Sequence, residues 1–216
     1  MLALVAGCGS QSAPDSASGT TTTTTTTTPT TSAPPKLTAA EVEQKIGQVV
    51  AATTFDALGG QLRKGPDQHV KSKVLTVTCG GKLPSNGWIT KESGATWEVA
   101  GSVVKTGVVH YDGFKANEVF DSLRKLVSCG TYVETWTADK ATVTVTGENT
   151  MPKVAEADGQ FSWCENVSAT FARCYAVLAR GAFASVVQVG TGSGDQGKAV
   201  LADTVPVAAK ALATVG

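Results

Sequence analysis

Apolar positions along this chain fall into short periodic runs separated by glycine-rich breaks, and the period of the runs changes several times. In KLTAAEVEQKIGQVVAATTF, Val42, Ile46, Val49 and Val50 return at helical spacing. Thr38 stands three residues before Glu41, where hydroxyl and carboxylate can satisfy each other's orphan backbone N–H groups, so the pattern predicts a helix over 38–54. FDALGGQLRKGPDQH loses periodicity at Gly59, Gly60, Gly65 and Pro66 and reads as a loop. VKSKVLTVTC alternates and predicts a half-buried strand ending at Cys79, and ATWEVAGSVVKTGVVHY predicts one or two more.

A second helix is predicted in DGFKANEVFDSLRKLVSCG, where Phe114, Val119, Phe120, Leu123, Leu126 and Val127 share one face and Gly130 supplies the stop. TYVETWTADKATVTVTG reads as a hairpin around Ala138, Asp139 and Lys140. GQFSWCENVSATFARCYAVLARGAFASVVQVG alternates almost throughout and reads as about three strands, with a turn at Gly181. DQGKAVLADTVPVAAKALATVG predicts a closing helix, kinked or divided at Pro206. Strands in succession, with helices between runs of strands, predict an α+β domain: a mostly antiparallel sheet with helices packed on one face.

The first 35 residues have none of this patterning. MLALVAG is apolar and ends in small side chains directly before Cys8, the pattern of a bacterial lipobox, whose cysteine is acylated on sulfur. We read residues 1–7 as a truncated lipoprotein signal peptide, since a basic n-region is missing and the apolar run is short. Residues 9–35 hold no aromatic residue, Ile, Leu or Val, and nine consecutive threonines. Such a stretch buries too little apolar surface to offset its ordering entropy, so residues 8–35 are expected to be a lipidated cysteine and a disordered tether. Ser/Thr-rich tracts with proline also suit O-linked sugars.

Composition narrows the partner class. The 216 residues carry 18 basic and 18 acidic side chains, which argues against nucleic acid as a partner. Residues 36–216 are enough for one core. Beyond Cys8, Cys79, Cys129, Cys164 and Cys174 contain no C-x-x-C pair, so two disulfides fit better than a metal site. Three pairings are open; Cys79 with Cys129 and Cys164 with Cys174 is the one favoured, closing loops worth about 4 and about 3 kcal/mol on a chain-entropy model. Such bonds persist in an oxidising compartment.

Motifs that would carry chemistry are scarce. His69 and His110 are the only histidines, with Asp67 and Asp112 as possible orienting acids, yet there is no G-x-S-x-G elbow for a serine nucleophile. GTGSGDQGK matches neither a phosphate loop nor a dinucleotide fingerprint and reads as a loop with Asp195 capping the closing helix. The carboxylate pairs Asp112 with Glu118 and Glu156 with Asp158 read as surface, and the Asn166 sequon has little meaning in a bacterium. Trp88, Trp97, Trp136 and Trp163 suit either a ligand cleft or a core. No catalytic, cofactor-binding or metal-binding residues are assigned, and no cofactor is implied.

Taken in order, the lipobox and tether, FKANEVFDSLRKLVSCGTYV, the cysteine-bounded SWCENVSATFARCYAVLARGAFASVVQVG and the alanine-rich closing helix resemble the PknH-like extracellular sensor domain of actinobacterial lipoproteins and receptor kinases. The resemblance spans about residues 37–213. It implies an α/β or α+β domain with two intramolecular disulfides and a surface cleft for an extracellular ligand, in a family not known for enzymes; only the four cysteines carry over. With no kinase motif, the chain is expected to be a stand-alone, non-enzymatic binding or sensor-like domain, lipid-anchored on the extracytoplasmic side of the cell membrane. Its expected partners are the membrane and an unknown small molecule or envelope protein. The alternatives are a structural or protein-partner-binding envelope lipoprotein without a small-molecule site, and a hydrolase.

Overall fold

The computed structural model describes residues 36–65, 74–135 and 140–215. The chain divides into two units, Met1–Lys36 and Leu37–Gly216, and every described residue except Lys36 belongs to the second. Cys8, the signal and tether, Asp67, His69 and Trp136 lie outside the described residues.

The expected capping box forms: the Glu41 N–H donates to the Thr38 hydroxyl at 3.3 Å and the Thr38 N–H to the Glu41 carboxylate at 2.7 Å. It starts α1, Ala39–Ala52. Eight antiparallel strands follow: β1 Gln61–Lys64, β2 Ile89–Val99, β3 Ser102–Tyr111, β4 Thr131–Val133, β5 Thr142–Glu148, β6 Gly159–Ser168, β7 Phe171–Arg180 and β8 Phe183–Thr191. Between β3 and β4 runs α2, Val119–Val127, and the described chain closes with α3, Gly194–Leu212, and a short 3-10 turn. The strand order β1-β2-β3-β8-β7-β6-β5-β4 joins two meanders at a central β3–β8 seam. Ala100 and Gly101, both with positive φ, make the two-residue turn whose twist suits the β2–β3 hairpin.

Alternation divides the side chains between two faces. On the first, Trp97, Val104, Val108, Leu178 and Val187 pack with Ile46 and Val49 of α1 and Leu201, Val205 and Leu212 of α3. On the second, Tyr111, Phe161, Trp163, Tyr175 and Val177 pack with Phe120, Leu123 and Val127 of α2. The fold is α+β as expected, and α1 and α3 share one face; α2 lies on the other because its connection carries the chain from the central β3 to the edge strand β4.

Both favoured disulfides form. Cys164 and Cys174 face each other in the β6–β7 register with Cα atoms 4.0 Å apart, and Cys79 reaches Cys129, just beyond α2, with Cα atoms 6.3 Å apart. The first lies under α3, where Gly197 is the residue the packing needs: a Cβ there would come within 2.7 Å of Cys174 Sγ.

Three local readings change. Residues 61–64, read as loop, pair with β2 as an edge strand. The described part of the expected strand before Cys79 is not in the sheet; the Leu75 N–H donates to the Asn86 side chain at 3.3 Å, and Cys79, Gly80 and Gly81 all have positive φ, which ends any extended run. Pro206 lies inside one helix of 19 residues. Pro206 and Ala202, the residue whose carbonyl loses its N–H partner, are both exposed, so water can take that bond.

Candidate binding site

The second face has a closed half and an open half. Over β5, β6 and β7 it is covered by α2 and by the chain around Thr78, which the Cys79–Cys129 bond ties down. Trp163, fully buried, stacks on Tyr175 at 4.7 Å between ring centroids and donates from its indole nitrogen to the Thr78 hydroxyl at 3.1 Å. One step along the same strands, Arg173 lies between two buried carboxylates: its Nη1 is 2.6 Å from Glu134 and its Nη2 3.1 Å from Glu165. The Tyr132 and Tyr175 hydroxyls donate to Glu165 at 3.1 and 3.3 Å.

Burial, reinforced by the charge of Glu165, pushes both phenols above their ordinary pKa, so they remain protonated donors. Burial opposes the charge on Arg173, yet its pKa is raised, with the Glu134 and Glu165 carboxylates holding the guanidinium in its charged form. The Glu165 oxygens are thus supplied with donors from within the protein, which makes this cluster a clamp fastening β4 to β6 and β7 rather than a place for a ligand.

The open half lies over β2, β3 and β8. There Glu92, Gly94, Lys105, Gly107, Val109, Val186 and Gln188, with Val74 and Leu75 at the rim, line a cleft of about 190 Å³. Gly94, Gly107 and Val186 stand side by side in the ladder. The two glycines are there for different reasons. A side chain at Gly94 would run into the Thr106 carbonyl oxygen, whereas among the described residues nothing lies within 4 Å of where a Cβ at Gly107 would stand. Gly107 therefore leaves space above the sheet that any other residue would fill.

Glu92 marks one end of this space. One of its carboxylate oxygens is buried with no hydrogen-bond partner, and burial raises its pKa above the ordinary glutamate value. A second cavity, of about 220 Å³, lies on the first face between β6 and α3, over Ala176, Leu178 and Val205. Its polar side chains on β6 are engaged: Ser162 donates to the Asn149 carbonyl at 2.9 Å, and Gln160 bonds the Pro152 carbonyl and the Val154 N–H, each at 2.9 Å. The cleft at Glu92 keeps a buried acceptor for a ligand, whereas Ser162 and Gln160 have used theirs.

Of the residues singled out in the sequence, His110 is buried on the first face, with its Nδ1 2.7 Å from the Thr90 hydroxyl and its ring against Phe183. Trp97 and Trp163 belong to the two cores, and Trp88 is exposed. Ser193, not Asp195, caps α3, accepting from the Gln196 N–H at 3.3 Å; Asp195 pairs with Lys198 instead. Among the described residues no group of three His, Cys, Asp or Glu is placed to hold a metal. Sequence reasoning missed Glu92, Gly107 and the Arg173 clamp. A signal for the clamp existed: Glu165 is in phase with Phe161 and Trp163, and Arg173 with Tyr175 and Val177.

The fold and site define a disulfide-bonded α+β domain in which half of one sheet face is left uncovered by the described residues. No protein-family model matches the chain, and no curated protein matches it. Among solved structures, the chain is similar to the extracellular domain of PknH from Mycobacterium tuberculosis, at 13% identity and a TM-score of 0.48, covering 84% of this chain and 97% of that one. It is also similar to an uncharacterised protein from Mycobacterium smegmatis, an Rv0999 ortholog, at 11% identity and a TM-score of 0.44, covering 74% and 96%.

Proposed function

We propose that this chain is a lipid-anchored extracytoplasmic binding domain that holds a small ligand in the cleft on the open half of its second sheet face, without catalysing a reaction. The observation that carries the reading is the space over Gly107 that no described residue fills, with a Glu92 oxygen at its edge that has no partner among them. Pockets of this kind, apolar with a few convergent polar groups, are where small molecules bind. The extracytoplasmic placement is supported by Val5-Ala6-Gly7-Cys8, by the tether composition and by two disulfides of the kind that persist in oxidising compartments. No described helix is long and apolar enough to cross a membrane. Anchoring is assigned to acylation at Cys8 on the lipobox pattern, with more than one acyl chain needed for stable attachment.

Native mass spectrometry of the full chain purified from its cell envelope tests the binding claim. Extra mass on the wild type that is lost in Gly107→Val is the expected result; the same mass on both would contradict the site. Fractionation tests the anchor: Cys8→Ala is expected to leave the membrane fraction, and a variant that stays there would contradict it.

A protein-partner reading has one specific observation in its favour. Val103 and Phe171, 48% and 41% exposed, stand on this same face, with the Phe171 ring over Gly190. If a protein docks here, Phe171→Ser should release it while ligand mass is retained.

A further inference from the structure

We infer that the cleft selects a compact organic cation, a primary ammonium on a short apolar body, with Glu92 as its counter-charge; this rests on the proposed function and names the chemistry of the same site. The cleft's two kinds of lining point the same way. Val74, Leu75, Val109 and Val186 and the bare backbone of Gly107 offer apolar contact to the middle of a ligand, while Gln188, paired with Lys105 in the ladder, stands at the end away from Glu92. At one edge a buried carboxylate oxygen of Glu92 has no donor. An acceptor left unsatisfied inside a protein is costly, and a charged N–H donor satisfies it with the strongest ordinary hydrogen bond.

Among the described residues none supplies that donor. The cation lining the cleft is Lys105, whose partner across the ladder is Thr96, whereas Glu92 is opposite Val109. Four residues of β3 separate the two positions, about 13 Å at ~3.3 Å per residue. Among the described residues no ion pair joins Glu92 to Lys105. Lys105 is exposed, and a side chain of its length keeps its charge in water.

Size sets the other limit. A volume of about 190 Å³ is that of about six water molecules, enough for a branched chain of a few carbons and a terminal amine. Gly107 makes the apolar end selective, because a single methyl group there would occupy the space the ligand's carbons need.

The test uses three probes of the same shape, isoamylamine, isoamyl alcohol and isovalerate, titrated into isotope-labelled full chain at pH 7 and followed by amide NMR. The amine is expected to shift Glu92, Gly94, Gly107 and Val109 with at least tenfold tighter binding than the alcohol, and isovalerate to leave them unmoved. Glu92→Gln should bring the amine down to the level of the alcohol, Glu92→Asp should keep part of the preference, and Gly107→Val should abolish both, with the rest of the spectrum unchanged. Alcohol or isovalerate binding as tightly as the amine, or an amine preference that survives Glu92→Gln, overturns the cationic ligand and leaves the cleft as the site. If none of the three moves the cleft amides, the cleft reading falls with it.

Discussion

Two glycines on opposite faces of the sheet show how differently the faces are used. At Gly197, on the first face, a methyl group would meet Cys174 Sγ at 2.7 Å and Thr191 Cγ2 at 3.2 Å; at Gly107, on the second, it would meet none of the described residues within 4 Å. One glycine exists so that α3 can lie down on the Cys164–Cys174 bond. The other leaves a floor bare, although a β-branched residue would suit a strand better there. The same contrast holds for polar groups: Glu165 in the closed half accepts from Tyr132, Tyr175 and Arg173, while Glu92 in the open half has a buried oxygen with no donor. The first face and the closed half of the second are thus built for stability, and the open half forgoes some of it.

Substitutions can break this contrast at either end. The largest effects belong to the closed half. Arg173→Met would leave Glu134 and Glu165 buried without their cation, an expected loss of about 3–5 kcal/mol in urea unfolding. A loss under about 1 kcal/mol would mean that the clamp is open to water and the halves do not differ as described. Replacing Cys79 and Cys129 together by alanine should cost about 4 kcal/mol, from releasing a loop of 50 residues in the unfolded chain.

The glycines give an intermediate and opposed pair. Gly197→Ala should destabilise by about 1–3 kcal/mol, because a packed helix must move off the disulfide. Gly107→Ala should be neutral or stabilise by about 0.4–1 kcal/mol, since it restricts the unfolded chain and meets no obstacle. Equal losses at the two positions would remove the case for open space at Gly107.

The smallest effect is at Glu92, and its sign is fixed. Because burial raises the folded-state pKa of Glu92 above its unfolded value, its contribution favours folding below the ordinary glutamate pKa, about 4.3, and is lost as pH rises through the folded value. Wild type and Glu92→Gln should therefore melt alike in acid, and the variant should melt slightly higher at neutral pH. A variant that melts lower at neutral pH would show that Glu92 already has a partner.

Much of this arrangement was legible in the sequence because strands and helices have different periods. The capping box at Thr38, the amphipathic α2 and the long alternation through β6, β7 and β8 each formed where the pattern placed it. Short-range pattern failed where long-range bonds decide. Gln61–Lys64 is a strand only because β2 offers it an edge, and the described residues before Cys79, which alternate, find bonds outside the sheet. The clamp was readable, since Glu165 and Arg173 occupy inward positions of otherwise apolar runs. The cleft was not: Glu92, Gly94, Thr96 and Glu98 look like the solvent side of an amphipathic strand. Only the register set by the Ala100–Gly101 turn, which brings Gly94 opposite Gly107, turns that side into a hollow.

The central claim, that the open half of the second face is the binding site, is tested most directly by amide NMR of the full chain against a library of small fragments, run in parallel on wild type and Gly107→Val. The account requires shifts clustered at Glu92, Gly94, Gly107, Val109 and Val186 that vanish in the variant. Shifts that persist in Gly107→Val, or that gather instead around Met151, Gln160 and Val205 on the first face, would contradict it.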